Sequence, residues 1–251
     1  MKKIHFLLAA GLFLIGTATA SAQFMGSSSR VASTSEGYNS VWVGYAPTKA
    51  KFAYSGFSST LDKINTFSVG ALHAAPLQNF PLLYEFGGML EWSRYSDSSS
   101  NDGFKETMTG NLIGLRIPLN LLYAYDLGNG LTVYPYLGLN VKGYIVGKVT
   151  EKYSYEGESY TETYNLFSKK DMEKMAGGGI YDDDYDYYYD DDMDDFGVAA
   201  KPLNRFTLGY QLGPRVGYSN FFGSVGYMAD LTKITDHTTV NMITLGVGMS
   251  F

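Results

Sequence analysis

Five charged side chains sit in stretches that are otherwise apolar or small: Glu85, Glu91, Arg116, Lys142 and Arg215. Each falls out of phase with the greasy residues beside it. A buried charge must be paired or it costs several kcal/mol, so two carboxylates and three cations on one enclosed surface would form a carboxylate-to-cation network. A second concentration of chemistry is Tyr181 to Phe196 (YDDDYDYYYDDDMDDF), with nine Asp and five Tyr. Asp182, Asp183, Asp184, Asp186, Asp190, Asp191, Asp192, Asp194 and Asp195 are hard oxygen donors of the kind that take Ca²⁺ or Mg²⁺. The spacing Asp182-x-Asp184-x-Asp186 resembles the start of a calcium loop. Tyr187 stands where that loop needs Gly, however, and Met193 where it needs a bidentate Glu, which excludes an EF-hand. Two readings remain: a solvated acidic loop, or weak multidentate capture of a divalent cation, with a bridge to surface lipid phosphates. No other cofactor is expected.

Catalysis finds little support. Beyond His5 the chain has only His73 and His237, the latter beside Asp236. Hydrolytic sites combine His with a nucleophile and an acidic partner, and Ser and Asp are too abundant here to single out either. The chain is therefore read as non-enzymatic, with a lipid-modifying barrel enzyme as a further alternative. A formal net charge of −6 and an isoelectric point near 5.0, without aromatic and basic residues interleaved, argue against nucleic acid. Removing Lys2 and Lys3 with a leader makes the charge −8, and without the nine Asp it would be +1. One segment sets the electrostatics of the whole chain.

The elements that position these groups follow from alternation. In the last eleven residues (NMITLGVGMSF), Ile243, Leu245, Val247, Met249 and Phe251 alternate with Thr244, Gly246, Gly248 and Ser250. A strand turns such a pattern into one apolar and one small or polar face. The pattern recurs in Ser40–Ala46, Asn65–Ala75, Leu82–Tyr95, Asn111–Tyr125, Leu131–Lys148, a segment from Phe206 to Arg215, and Phe221–Ala229, which makes eight strands. Their connections alternate: long (46–64), short (76–81), long (96–106), short (126–130), very long (149–204), short (218–220), long (230–239). Up-and-down membrane barrels have short turns at one end and long loops at the other, whereas Greek-key sandwiches have no reason to. Aromatics gather near the strand ends, with Tyr45, Trp92, Tyr95 and Tyr144 toward one rim and Tyr84, Tyr123, Tyr125, Tyr134, Phe221 and Phe251 toward the other, as interfacial belts would require. Pro118 breaks the pattern, because a closed ring has no edge to hide a missing N–H, and it predicts a bulge or a ladder gap.

Residues 1–22 read as a secretory signal, with Lys2 and Lys3, an apolar run from Phe6 to Ile15 and a small-x-small site at Ala20-Ser21-Ala22. Residues 23–38 are Ser-rich and aperiodic, a flexible leader. Cys is 0, so no disulfide is available. No later stretch is long and apolar enough for a membrane helix, so a membrane location requires a closed barrel over 39–251.

Several motifs carry a resemblance. Phe67-Ser68-Val69-Gly70, Tyr84-Glu85-Phe86-Gly87-Gly88, Leu115-Arg116-Ile117-Pro118-Leu119, Tyr134-Pro135-Tyr136-Leu137-Gly138 and Leu245-Gly246-Val247-Gly248, with a final Phe251, resemble the small eight-stranded outer-membrane β-barrels of the porin-like, PorT-like family of Bacteroidota. The resemblance covers 39–251 apart from the long insertion. It implies an all-β, antiparallel up-and-down transmembrane barrel in the outer membrane, in contact with lipid and lipopolysaccharide. It also implies that Phe251 is read by the barrel assembly machinery during insertion. Eight strands leave an interior just wide enough for side chains to fill. The expected role is structural or surface-interacting, with a protein partner at the external loops, and a narrow porin-like channel is the alternative.

Overall fold

The computed structural model describes residues 37–54, 57–77, 82–101, 103–155, 157–176 and 201–251. The expected signal segment, almost all of the leader and the acidic stretch 181–196 lie outside them. The chain runs β1 (Tyr38–Tyr54), β2 (Phe57–Pro76), β3 (Leu82–Asn101), β4 (Phe104–Tyr123), β5 (Tyr125–Gly128), β6 (Leu131–Tyr155), β7 (Glu158–Asn165), α1 (Lys169–Ala176), β8 (Phe206–Tyr218), β9 (Phe221–Asp230) and β10 (Thr238–Ser250). Every pairing is antiparallel. The order β4-β3-β2-β1-β10-β9-β8-β6 closes on itself because β4 also pairs with β6.

Eight strands therefore form a ring, while β5 and β7 are short additions to β6. The ring closes where β10 meets β1, from Ser40 opposite Ser250 to Tyr45 opposite Leu245 and onward to Phe52 opposite Thr238. Partners can be followed round the ring from Val43 through Val69, Leu90, Leu115, Gly143 and Phe206. Continuing the registers of β9 and β10 returns to Ala53, so the stagger is ten residues. With strand spacings of about 4.7 Å and rises of about 3.3 Å, that stagger tilts the strands by roughly 40°.

Period two survives in three dimensions. Val43, Phe67, Leu90, Ile117, Leu139, Leu212, Val225 and Val247 point outward, each at least 43% exposed. The alternate residues fill the interior: Trp42, Leu72, Met89 and Phe222 pack together, and Ala74, Leu83, Leu122, Ala124 and Tyr134 form a second cluster near the short-turn end. A Cβ at Gly246 would overlap the Trp42 indole, so this glycine is what lets the ring of Trp42 lie flat on β10.

Three sequence expectations need correction. Residues 46–64 and 96–106 are not open loops: β1 continues to Tyr54 against β2, and β3 to Asn101 against β4, as long hairpins. Part of the 149–204 insertion is likewise paired strand, as the end of β6 and β7. Tyr95, Tyr134 and Tyr144 do not belong to outward aromatic belts. They share the phase of Glu91, Tyr136 and Lys142 and turn inward: Tyr134 is 5% exposed, and Tyr95 and Tyr144 line an internal chamber. The other seven aromatics do lie outward.

Three prolines sit at gaps on one side. The β3–β4 pairing skips from Phe86–Leu119 to Met89–Arg116, which leaves Pro118 without a ladder partner on β3. The β8–β9 pairing skips Pro214 and the β1–β10 pairing skips Pro47. A bulge does occur between β4 and β6, at Ile113/Gly114, four residues before Pro118.

Candidate functional site

The interior surface carries the chemistry, and the stagger decides which charges meet. Glu85 on β3 and Arg215 on β8 are far apart in sequence. Even so, Arg215 Nη1 donates to Glu85 Oε2 at 2.6 Å and Nη2 to Glu85 Oε1 at 3.0 Å. Their side chains are 4% and 0% exposed. The guanidinium also lies 4.7 Å from the ring centre of Phe222 and 5.7 Å from that of Trp42, with Tyr38 Oη accepting a bond from Nη1 at 3.3 Å. A fork on a carboxylate with aromatic faces around it suits a desolvated arginine.

From this pair a chain of hydrogen bonds climbs the barrel. Asn120 Nδ2 donates to Glu85 Oε1 at 2.8 Å, and Gln211 Nε2 donates to Asn120 Oδ1 at 2.6 Å. Arg116 Nη1 donates to Gln211 Oε1 at 2.8 Å, and its Nε to Glu91 Oε1 at 2.6 Å. One step higher, Lys142 Nζ donates to Asp230 Oδ1 at 2.8 Å, with both side chains 2% exposed or less. The five charges singled out in the sequence thus lie in three pairs, and the sixth member, Asp230, was expected in a loop. It is the last residue of β9, in phase with Phe222, Ser224 and Met228, and that phase is the signal that could have found it. Asn120 and Gln211 carry the link between the two arginine pairs.

These side chains close the interior. The space left among them is about 30 Å³, with a further 20 Å³ near the short-turn end, volumes that hold a water or two. Above the pairs the barrel opens into a larger chamber of about 290 Å³.

The other candidates scatter. His73 Nδ1 pairs with Asn39 Oδ1 at 2.9 Å near the short-turn end, while His237 lies in the β9–β10 connection at the opposite end, so the two histidines share no site. Among the described residues no group of three or more His, Cys, Asp or Glu is placed to hold a metal ion, and the nine clustered Asp lie outside them. Phe251 is tied to Asn39 by two main-chain bonds, N to O at 2.9 and 3.1 Å.

Outside the ring, Glu162 on β7 accepts from Tyr160 Oη at 2.6 Å, from Tyr164 Oη, and from Lys174 Nζ of α1 at 3.0 Å. The two tyrosine hydroxyls, with the ammonium after them, hold its carboxyl down at about 2. This cluster docks α1 on the β6–β7 hairpin.

No family model matches the chain, and no curated protein sequence matches it. Among solved structures, it is similar to Ail, the attachment invasion locus protein of Yersinia pestis, at 15% identity and a TM-score of 0.39, covering 86% of this chain and 99% of that one. Neisserial surface protein A matches at 14% identity and 0.34, over 85% and 97%. A major outer membrane protein from Thermus thermophilus matches at 13% and 0.37, over 86% and 99%.

Proposed function

We propose that the protein is an integral outer-membrane barrel of the porin-like, PorT-like kind, with an interior sealed by ion pairs and a structural or surface-interacting role. The observation that carries this reading is the inversion of its faces. A continuous apolar band encircles the ring, far larger than the few hundred Å² of apolar patch a water-soluble monomer shows, while six charges are enclosed. Hydrocarbon is the solvent that suits such a band, and a closed ring satisfies every backbone group within it. Residues 1–22 would direct export, and Phe251 would serve assembly.

The short turns then face the periplasm. The β1–β2, β3–β4 and β6–β7 hairpins and the acidic segment face outward, where tyrosines such as Tyr155 and Tyr160 offer rigid contact area to a protein partner. The nine Asp would collect Ca²⁺ or Mg²⁺ weakly between neighbouring lipopolysaccharide phosphates. Calorimetry at millimolar Ca²⁺ would show this heat and its loss on Asp-to-Asn replacement.

Reconstituted in planar bilayers, the protein should insert without sustained ohmic conductance. Steady conductance would replace the sealed interior with a narrow channel.

A further inference from the structure

The upper third of the barrel is unlike the part below it. Above Glu91 and Lys142 the inward side chains become apolar or small: Leu61, Ile64, Met108, Gly110, Leu112 and Val240 surround the chamber of about 290 Å³. Its outer side is partly covered. Leu166, Leu203 and Ile234 come from three separate segments and meet over it. They are held by main-chain bonds, Leu203 N to Leu166 O at 2.8 Å and Asn204 N to Ile234 O at 2.8 Å, with Leu166 N on Gly147 O at 3.0 Å. It does not continue downward, because the Arg116–Glu91 and Lys142–Asp230 pairs form its floor. The result is a partly lidded cup.

A folded interior is normally packed to crystal density, and an empty apolar space of this size sacrifices dispersion contacts all round its wall. An apolar cavity of about 150 Å³ holds benzene, so one of twice that volume takes a molecule on the order of a dozen non-hydrogen atoms. The chemistry of the floor narrows the class further. Each cation there is matched by a carboxylate, so a charged ligand would lose its water and find no uncompensated partner. The uncharged polar side chains on its wall are Thr48, Ser93, Tyr95, Asn111, Tyr144 and Thr238. Thr48 and Ser93 are bonded to Thr66, Tyr95 to Asp97, Asn111 to Trp92 and Thr238 to Thr235. Tyr144 stands at the floor, two residues on from Lys142.

We propose that this chamber is a binding site for a small, neutral, mainly apolar molecule that presents one hydroxyl or carbonyl oxygen to Tyr144. Entry is from the outside, by separation of Leu203 and Ile234 from Leu166. The proposal is independent of whether the lower interior conducts.

Gly110 provides the test. A Cβ there would meet only ordinary contacts, the nearest being Tyr95 Cβ at 3.5 Å, so a larger side chain can grow into the chamber without moving backbone. The full chain in nanodiscs should bind 1-naphthol at one site per barrel, above the partition into empty nanodiscs. Gly110→Phe should weaken this at least tenfold while leaving the folded barrel intact by electrophoretic mobility. Tyr144→Phe should weaken 1-naphthol about fivefold or more and leave naphthalene unchanged. Naphthalene-1-sulfonate should fail to bind. Equal uptake by loaded and empty nanodiscs, or binding that survives Gly110→Phe, would overturn the proposal. Equal binding of the sulfonate would overturn its neutral class. If 1-naphthol binds only after residues 181–196 are deleted, the chain's own segment occupies the chamber and the proposal falls.

Discussion

At the scale of single residues, the buried ion pairs dominate. Removing one partner of a buried pair strands the other, at a cost of about 3–5 kcal/mol, whereas replacing both by apolar groups of similar size is often neutral. Arg215→Ala should therefore lower the urea midpoint of barrel unfolding strongly, and Glu85→Leu combined with Arg215→Met should recover most of it. Electrophoresis of unheated samples against urea reads both. Gly246→Val should push Trp42 off β10 and cost about 1–3 kcal/mol by overpacking, visible as a shift in Trp42 fluorescence and a lower midpoint. Period two is enough to put Glu85, Glu91, Arg116, Lys142 and Arg215 on one face. It does not say which of them meet, because partners such as Glu85 and Arg215 are joined by the stagger around the ring. Alternation gives a residue's side of the wall; its height comes from a global quantity that no local window contains. Asp230 escaped for a simpler reason: a carboxylate at the end of a strand looks like the start of a loop.

Among the elements, the eight ring strands were legible where lipid-like and interior faces differ, and illegible above that level. Residues 46–64 and 96–106 stay paired, but beyond the chamber wall, which takes Ala50, Leu61 and Ile64, both faces of those hairpins meet water, so nothing constrains their sequence to alternate. Ser96–Asn101 opposite Phe104–Thr109 is a strand pair with the composition of a loop. The same applies to β6 and β7, which carry α1 by a charge contact. Glu162 has its carboxyl lowered to about 2, so the bond to Lys174 is fully present above the ordinary carboxylate value near 4.5 and is lost as pH falls from there through about 2. A spin label at Lys170 should stay immobilised from pH 7 to 5 and gain mobility below about pH 3. Glu162→Gln should show the mobile spectrum at every pH.

For the whole molecule, the hairpins set a height. From Trp92 at the upper edge of the apolar band to Asn101 at the tip, β3 climbs nine residues. At about 3.3 Å each and a tilt of roughly 40°, that is on the order of 20 Å. Ionic screening at physiological salt fades charge effects over about 8 Å. The hairpin tips therefore stand more than two screening lengths above the outermost ring of the band. With the apolar band in a bilayer, as proposed, attraction or repulsion felt at Lys105 and Glu106 is that of the tip's own charges, insulated from the lipid surface beneath. Whatever docks there would meet the same local field on a strongly anionic membrane as on a neutral one, so swapping lipid composition should leave contact at the tips unchanged while altering events near the bilayer plane.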